Sequence, residues 1–334
     1  MRKLKVGLVG CGNIGTSAHL PAYQNLKDLA EVVAVADLVL ERAQDAAKKF
    51  DVPNAYASVE EMLAAHPDLD YVDICVWTGN HAPVAIAAAK AGKNILLEKP
   101  LAATLEQGLA IEKAVKEAGV QFMLAVVTRY GAEQQKFIEL RDAGKFGDIY
   151  LSKCAYTRRR GTPGGWFTDK KKAGGGPVLD IGVHAIDRTW YLMGRPKPVS
   201  CSAEVSYRIG NYQTKGVGRW EPFDKGDGTF DTEDSASVFF RFEGGKSMIA
   251  EIAWAINGEG AASTTIYGEN EEGYLCDEKP EVTPNNFFEE EIRHYIDCVN
   301  TGKTPISPID DAVTVQRMLD AIYRSAEQHK EVTI

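Results

Sequence analysis

The chain has 334 residues, 44% hydrophobic and 25% charged, with 31 Gly and 14 Pro in no regular period; the length fits two domains of about 100 to 200 residues each, and the composition excludes collagen-like and disordered chains. Asp plus Glu outnumber Lys plus Arg by 47 to 38, a net charge of -9, which argues against nucleic acid or an anionic membrane as partner. No apolar run approaches the roughly 20 residues that cross a bilayer. Six cysteines stand far apart without Cys-x-x-Cys or finger-spaced His, so neither a disulfide framework nor a metal site is expected, and a reducing cytoplasm is the expected compartment.

Residues 4–9 read as a strand. The basic start Met1-Arg2-Lys3 and the ending Leu8-Val9-Gly10-Cys11 imitate a lipoprotein signal, but the apolar stretch is shorter than the roughly 7 to 15 residues of a signal core. Gly10-Cys11-Gly12-Asn13-Ile14-Gly15 follows directly and leads into a helix over 18–27. A second strand over 31–36 ends at Asp37, 22 positions after Gly15, and a helix over 39–49 comes next. Strands at 71–76, 94–97 and 121–127 are separated by Ala-rich helices over 83–91 and 105–118. This alternation predicts a doubly wound α/β domain over 1–127, its parallel sheet covered on both faces. Beyond it come a helix over 132–143, β-rich runs over 149–156, 199–207, 235–242, 246–256 and 263–268, and closing helices over 287–300 and 312–328. Residues 128–334 are therefore expected to form an α+β domain with a large open, mainly antiparallel sheet. Two glycine-rich interruptions, 158–176 and 209–230, have the length of functional or mobile loops. The second carries Tyr212, Trp220 and Phe223, candidates for a lid, while Trp190, Trp254 and Phe239-Phe240 are expected in the core or a sheet interface.

Three stretches carry chemistry. In a strand-glycine turn-helix context Gly10 makes the tight turn and Gly12 lets the backbone approach a pyrophosphate. Gly15 lets the helix pack on the sheet, and the helix start, with Asn13 and Ile14, offers partial positive charge. Asp37, ending the next strand, can accept from adenosine ribose hydroxyls and would repel a 2'-phosphate, which predicts NAD over NADP; Arg42 is the residue that could instead meet a phosphate. Glu98-Lys99-Pro100 follows the 94–97 strand, at the carboxyl end where open α/β sheets bind ligands, and the following proline holds Lys99 extended. In Gly174-Gly175-Gly176-Pro177-Val178-Leu179-Asp180-Ile181-Gly182-Val183-His184, Asp180 and His184 share one helix face, where a histidine can relay a proton and a carboxylate can orient it. Arg160, in the run Arg158 to Arg160, is a candidate for a substrate carboxylate or phosphate, and Trp166 for stacking on a sugar.

In this order and spacing, the glycine turn, Asp37, Trp77-Thr78-Gly79-Asn80-His81, Glu98-Lys99-Pro100, the Gly-Gly-Gly-Pro-x-x-Asp-x-Gly-x-His run and Asp231 to Ala236 resemble the glucose-fructose oxidoreductase/inositol dehydrogenase/MocA family over essentially the whole chain. Gly79 departs from the proline that many relatives carry there. The resemblance implies a Rossmann domain, a nicotinamide lying between the domains, and a C-terminal sheet that builds homodimers or homotetramers. It makes Lys99, Asp180 and His184 catalytic and places Thr78, Asn80, His81, Glu98 and Arg129 at the cofactor; the Lys99–Pro100 bond is often cis in relatives. The implied reaction oxidises a secondary alcohol of a sugar, cyclitol or related polyol, with either His184 or Lys99 as proton acceptor. Two other readings stay open: a redox-neutral, NAD-dependent glycoside-processing enzyme, and a non-catalytic NAD-binding sensor like the family's yeast galactose-pathway repressor.

Overall fold

Short apolar runs broken by glycine turns become strands whose side chains are buried on both faces. In the computed structural model, which describes residues 2–209, 226–276 and 286–334, β1 (Leu4–Val9), β2 (Ala30–Ala36), β3 (Ala55–Tyr56), β4 (Tyr71–Ile74), β5 (Asn94–Glu98) and β6 (Phe122–Ala125) pair in parallel, in the order β3-β2-β1-β4-β5-β6. Helices α1 (Leu20–Asn25), α2 (Leu40–Phe50), α3 (Val59–Ala65), α4 (His81–Lys90) and α5 (Leu105–Ala118) connect them. Leu4, Val6 and Leu8 pack with Leu20, Tyr23 and Ala43, while Ile74, Ile95 and Leu97 pack in a second cluster with Ala85 and Ile111. Side-chain alternation along the strands thus feeds both covering layers. Ser58 and Thr104 cap α3 and α5, accepting from the Glu61 and Gln107 N–H groups. The pair β3 and α3 was not expected from the sequence, because a two-residue strand is too short to show a period.

The second sheet has the order β12-β11-β7-β10-β9-β8-β13, built from β7 (Ile149–Thr157), β8 (Pro198–Ser206), β9 (Ser235–Phe242), β10 (Ser247–Ala253), β11 (Ala261–Gly268), β12 (Glu272–Cys276) and β13 (Val332–Thr333). Only β7 and β10 pair in parallel. Cys154, Ala250 and Val238 stand side by side on the buried face, and the alternate row, Lys153, Ile249, Phe239 and Ser202, forms the other. The core of this unit takes in Phe137 of α6 (Ala132–Asp142) and Ile186 and Trp190 of α8 (Val183–Leu192), and a one-turn helix α7 (Lys170–Ala173) lies in the loop after β7. The stretch 210–225, with the lid candidates Tyr212, Trp220 and Phe223, lies outside the described residues.

Two compact units result, and among the described residues the chain returns to the first unit once. Residues 286–313 belong with 2–127, while 128–209, 226–276 and 314–334 form the other unit. The expected second domain, 128–334, therefore differs from the structure by the helix α9 (Asn286–Thr301) and the start of α10 (Ile309–Gln328). The physical reason is the apolar stripe of α9: Ile292, Tyr295, Ile296 and Cys298 are buried in the same cluster as Leu4, Leu8 and Tyr71. Ile309, Ala312 and Val313 pack with Leu97 and Leu124, whereas Val315, Met318 and Ile322 of the same helix pack with Trp254 and Phe240.

Candidate active site

At the end of β1 the turn glycines are demanded by geometry. Gly10 has φ +102, and a Cβ there would lie 2.5 Å from the Cys75 carbonyl carbon; at Gly15 it would lie 2.3 Å from the Gly10 oxygen. At Gly12 a Cβ would meet nothing within 4 Å. The helix that follows opens with a π turn, Gly15–His19, a device frequent at functional sites. Asp37 is half-buried and ties the turn down: its Oδ2 accepts the Cys11 N–H at 2.8 Å and its Oδ1 the Val39 N–H at 2.9 Å. Asn13 is held by Ser17, whose hydroxyl reaches the Asn13 carbonyl and side-chain oxygen at 2.6 and 2.9 Å.

The ends of β4 and β5 gather the next group. Thr78 is buried and Asn80 half-buried in a short 3-10 turn, Thr78–Asn80, that runs into α4. His81 is buried, with Nδ1 2.7 Å from the Pro100 carbonyl and Nε2 3.0 Å from that of Val76. Burial pushes its pKa down against the pull of those carbonyls, so the ring tethers the loop after β5 to the loop after β4 and acts from behind the surface. Lys99 is half-buried beside a cis Lys99–Pro100 bond, and its N–H donates to Glu98 Oε2 at 3.1 Å. The buried Glu98 turns its Oε1 toward His19 Nε2 at 3.1 Å. His19, Asp73 and Cys75 offer donor atoms within 4.8 Å of one another, but both His19 nitrogens face carboxylates, Asp73 and Glu98, at hydrogen-bond distance, which makes this a hydrogen-bonded cluster.

In the second unit Asp180 sits in a π turn, Val178–Gly182, and His184 in the first turn of α8, so one continuous helical path carries both, each half-buried. The fully buried Trp254 donates its indole N–H to Asp180 Oδ2 at 2.9 Å. Glu233 caps the same helix start, accepting from the Gly176 N–H at 2.9 Å, the Val178 N–H at 3.2 Å and the Tyr323 hydroxyl at 2.8 Å; burial pushes its pKa up against those donors. The glycine run exists for this close packing: a Cβ at Gly175 would fall 2.0 Å from the Tyr323 hydroxyl and one at Gly176 2.2 Å from the Glu233 carbonyl. Arg129 differs from expectation. It has no exposed surface, donates from Nε and Nη2 to Asp187 at 2.9 and 2.6 Å, and lies 4.3 Å over the Tyr191 ring, so it is a core ion pair. Arg160 is exposed next to its bridge to Ala255, and Trp166 is half-buried, stacked on Phe167 at 3.8 Å. His19, Glu233 and Trp254 were not singled out as site residues from the sequence. The signals were a histidine among Ala18 and Leu20, a charged residue within the quoted 231–236 run, and a tryptophan directly after a strand.

Residues 4–126 match the model of an oxidoreductase family with an NAD-binding Rossmann fold, and residues 135–272 match the GFO/IDH/MocA C-terminal domain. The chain belongs to the Gfo/Idh/MocA oxidoreductase family. It is 29% identical to the D-glucoside 3-dehydrogenase of Escherichia coli (strain K12), over 99% of this chain and 97% of that one. Over 73% of this chain and 66% of the relative it is 32% identical to the levoglucosan dehydrogenase of Pseudarthrobacter phenanthrenivorans. A solved levoglucosan dehydrogenase in complex with NADH and levoglucosan shares the fold with a TM-score of 0.84 at 24% identity, covering 100% of this chain and 99% of that one.

The residues present fit the nicotinamide dinucleotide that this Gfo/Idh/MocA oxidoreductase binds. Open space beside Gly12 admits a pyrophosphate to the backbone, and each Asp37 oxygen, engaged by one N–H, keeps acceptor capacity for a ribose hydroxyl. Among the described residues no helix is long and apolar enough to cross a membrane, and the described cysteines are buried free thiols.

Proposed function

We propose that the protein is a nicotinamide-dependent dehydrogenase that oxidises a secondary alcohol of a sugar, cyclitol or related polyol to the ketone. The observation that carries this reading is the placement of Asp180 and His184 on one helical stretch, with Asp180 oriented by the buried Trp254. A carboxylate fixed beside an imidazole is what removal of a hydroxyl proton near neutral pH requires. Relatives named for D-glucoside and levoglucosan oxidation support a carbohydrate substrate, and Asp37 supports NAD over NADP.

A bound nicotinamide would supply the hydride acceptor for the carbon that bears the hydroxyl, so that alcohol and NAD would give ketone, NADH and a proton. His184 takes that proton and passes it to solvent, Asp180 orients the imidazole and the substrate, and Lys99 stabilises the negative charge developing on oxygen. Thr78, Asn80 and Glu98 line the cofactor, and the exposed Arg160 meets an acidic group on the substrate. The outward face of the second sheet, where Arg241 lies 4.8 Å over Phe239 and Lys153 5.5 Å over Tyr267 beside the exposed Ile249, is the surface through which copies associate.

The test is reduced-nicotinamide absorbance with NAD or NADP and a panel of sugars, cyclitols, uronates and sugar phosphates. Steady NADH formation from one class is the expected result, with His184→Ala lowering kcat by about 100- to 10,000-fold at nearly unchanged NAD affinity. NAD binding without net NADH, together with cleavage of a glycoside, would replace this reading by the redox-neutral one.

A further inference from the structure

Behind the ends of β4 and β5 lies a buried polar chain that the chemistry above does not use. Asp73 is its hub. Its Oδ2 accepts from the Tyr23 hydroxyl at 2.9 Å and faces His19 Nδ1 at 2.8 Å, its Oδ1 accepts from the Cys75 thiol at 3.6 Å, and Tyr71 donates to Tyr23 at 2.9 Å. All of these groups are buried. Because the donors converge on Asp73, it is a carboxylate and His19 Nδ1 carries a proton. Nε2 then meets a second carboxylate, Glu98 Oε1, at 3.1 Å; a bare lone pair there would oppose an anion, whereas an N–H donates to it.

The groups around His19 come from several elements: Asp73 and Tyr71 from β4, Cys75 just after it, Glu98 from β5, Tyr23 from α1, and Glu291 from α9, the helix whose Phe288 ring lies 5.7 Å from the imidazole. Burial alone would push the His19 pKa down, but the charge of Asp73 and its hydrogen bond to Nδ1 outweigh it and hold it well above the ordinary value. Glu291 is fully buried with no hydrogen-bond partner for either oxygen among the described residues. Burial, reinforced by the charge of Glu98, holds its pKa well above the ordinary carboxylate value. At the inner end of the polar chain the Tyr71 ring meets the buried Tyr295 edge-on at 5.2 Å.

We propose that His19, as an imidazolium bridging Asp73 and Glu98, is a positioning residue: it pins Glu98 so that the other carboxylate oxygen holds the Lys99 N–H, fixing the strand end from which Lys99 works. The inference rests on the dehydrogenase reading for the role of Lys99, but its structural half does not. The first measurement is nitrogen-15 NMR of the imidazoles in the cofactor-free protein, which has six histidines. One of them, identified by its loss in His19→Gln, is expected to keep both ring nitrogens protonated at pH 8, where an ordinary imidazole is neutral. The second is kinetic: His19→Gln and Asp73→Asn are expected to bind NAD within about threefold of wild type yet lose about 10- to 100-fold in kcat, the cost of a misaimed catalytic group. Should His19→Gln fail to fold, the near-isosteric Asp73→Asn carries both readouts. A singly protonated His19 in the wild-type protein at pH 8, or unchanged kcat in a folded variant, overturns the proposal. If no substrate in the panel turns over, the dehydrogenase reading fails separately and the spectrum alone decides the state of His19.

Discussion

One indole nitrogen sets the direction of Asp180. Trp254 directly follows β10, and its ring is as buried as any core residue, which is how its hydrophobicity reads in the sequence. Its hydrogen bond to Asp180, across 74 positions, could not be read there, because no local pattern announces a partner supplied by another element. Trp254→Phe keeps the apolar bulk and deletes only the donor. A hydrogen bond to a charged group is worth about 1.5 to 3 kcal/mol, so kcat is expected to fall by roughly 10- to 100-fold with cofactor affinity unchanged. Steady-state kinetics beside a thermal melt check this: a lower Tm with intact kcat would mean that Trp254 serves packing alone. The same kind of distance hides His19, whose partners Asp73 and Glu98 stand 54 and 79 positions away. Arg129 shows the converse, since the family resemblance pointed it to the cofactor and tertiary packing gave it Asp187.

At the scale of elements, the strand-turn-helix unit at the N-terminus was the most legible part of the chain. β1 occupies Leu4–Val9 as its composition predicts, because an apolar run ended by glycine leaves little other choice. The starts of the two helices that carry site residues were less legible: both open with π turns, which hydrophobic periodicity does not register. Within the glycine turn the structure separates two kinds of requirement. Gly12→Ala adds a methyl to open space and should leave the folded protein as stable as before or more stable by up to about 1 kcal/mol, while weakening NAD binding about tenfold or more because the backbone can no longer approach the pyrophosphate. Gly10→Ala, at φ +102 and against the Cys75 carbonyl, should destabilise the free protein by about 1 to 3 kcal/mol. Thermal unfolding and a fluorescence titration with NAD read the two effects apart. Normal NAD affinity in Gly12→Ala would remove this turn from the cofactor site.

For the molecule as a whole, the sequence separated the two sheets at residue 127 but did not show that α9 returns to the first unit. An amphipathic helix advertises an apolar face without saying which core receives it. One irregularity was visible: Glu291 lies on the same helical stripe as Phe288, Ile292 and Tyr295, an acid where the face is otherwise apolar. Its burial gives the fold a pH dependence of definite sign. Unfolded, Glu291 loses its proton near the ordinary value of 4.5; folded, burial and then the charge of Glu98 hold the proton well above that, with His19 opposing and Asp73 assisting. Between those two values the native state carries the extra proton, so the contribution of Glu291 is complete below about pH 4.5 and is lost as pH rises, by about 1.4 kcal/mol per pH unit, until the folded group ionises. Glu291→Gln has no proton to lose. Its amide, lacking partners in the same place, carries a burial cost of about 1 to 3 kcal/mol that does not change with pH, so the informative quantity is the slope. Urea unfolding between pH 5 and 8 is expected to show the variant gaining on the wild type steadily with pH. Parallel curves would mean that Glu291 ionises freely in the folded protein, and the cluster around His19 would then carry a different charge from the one assigned here.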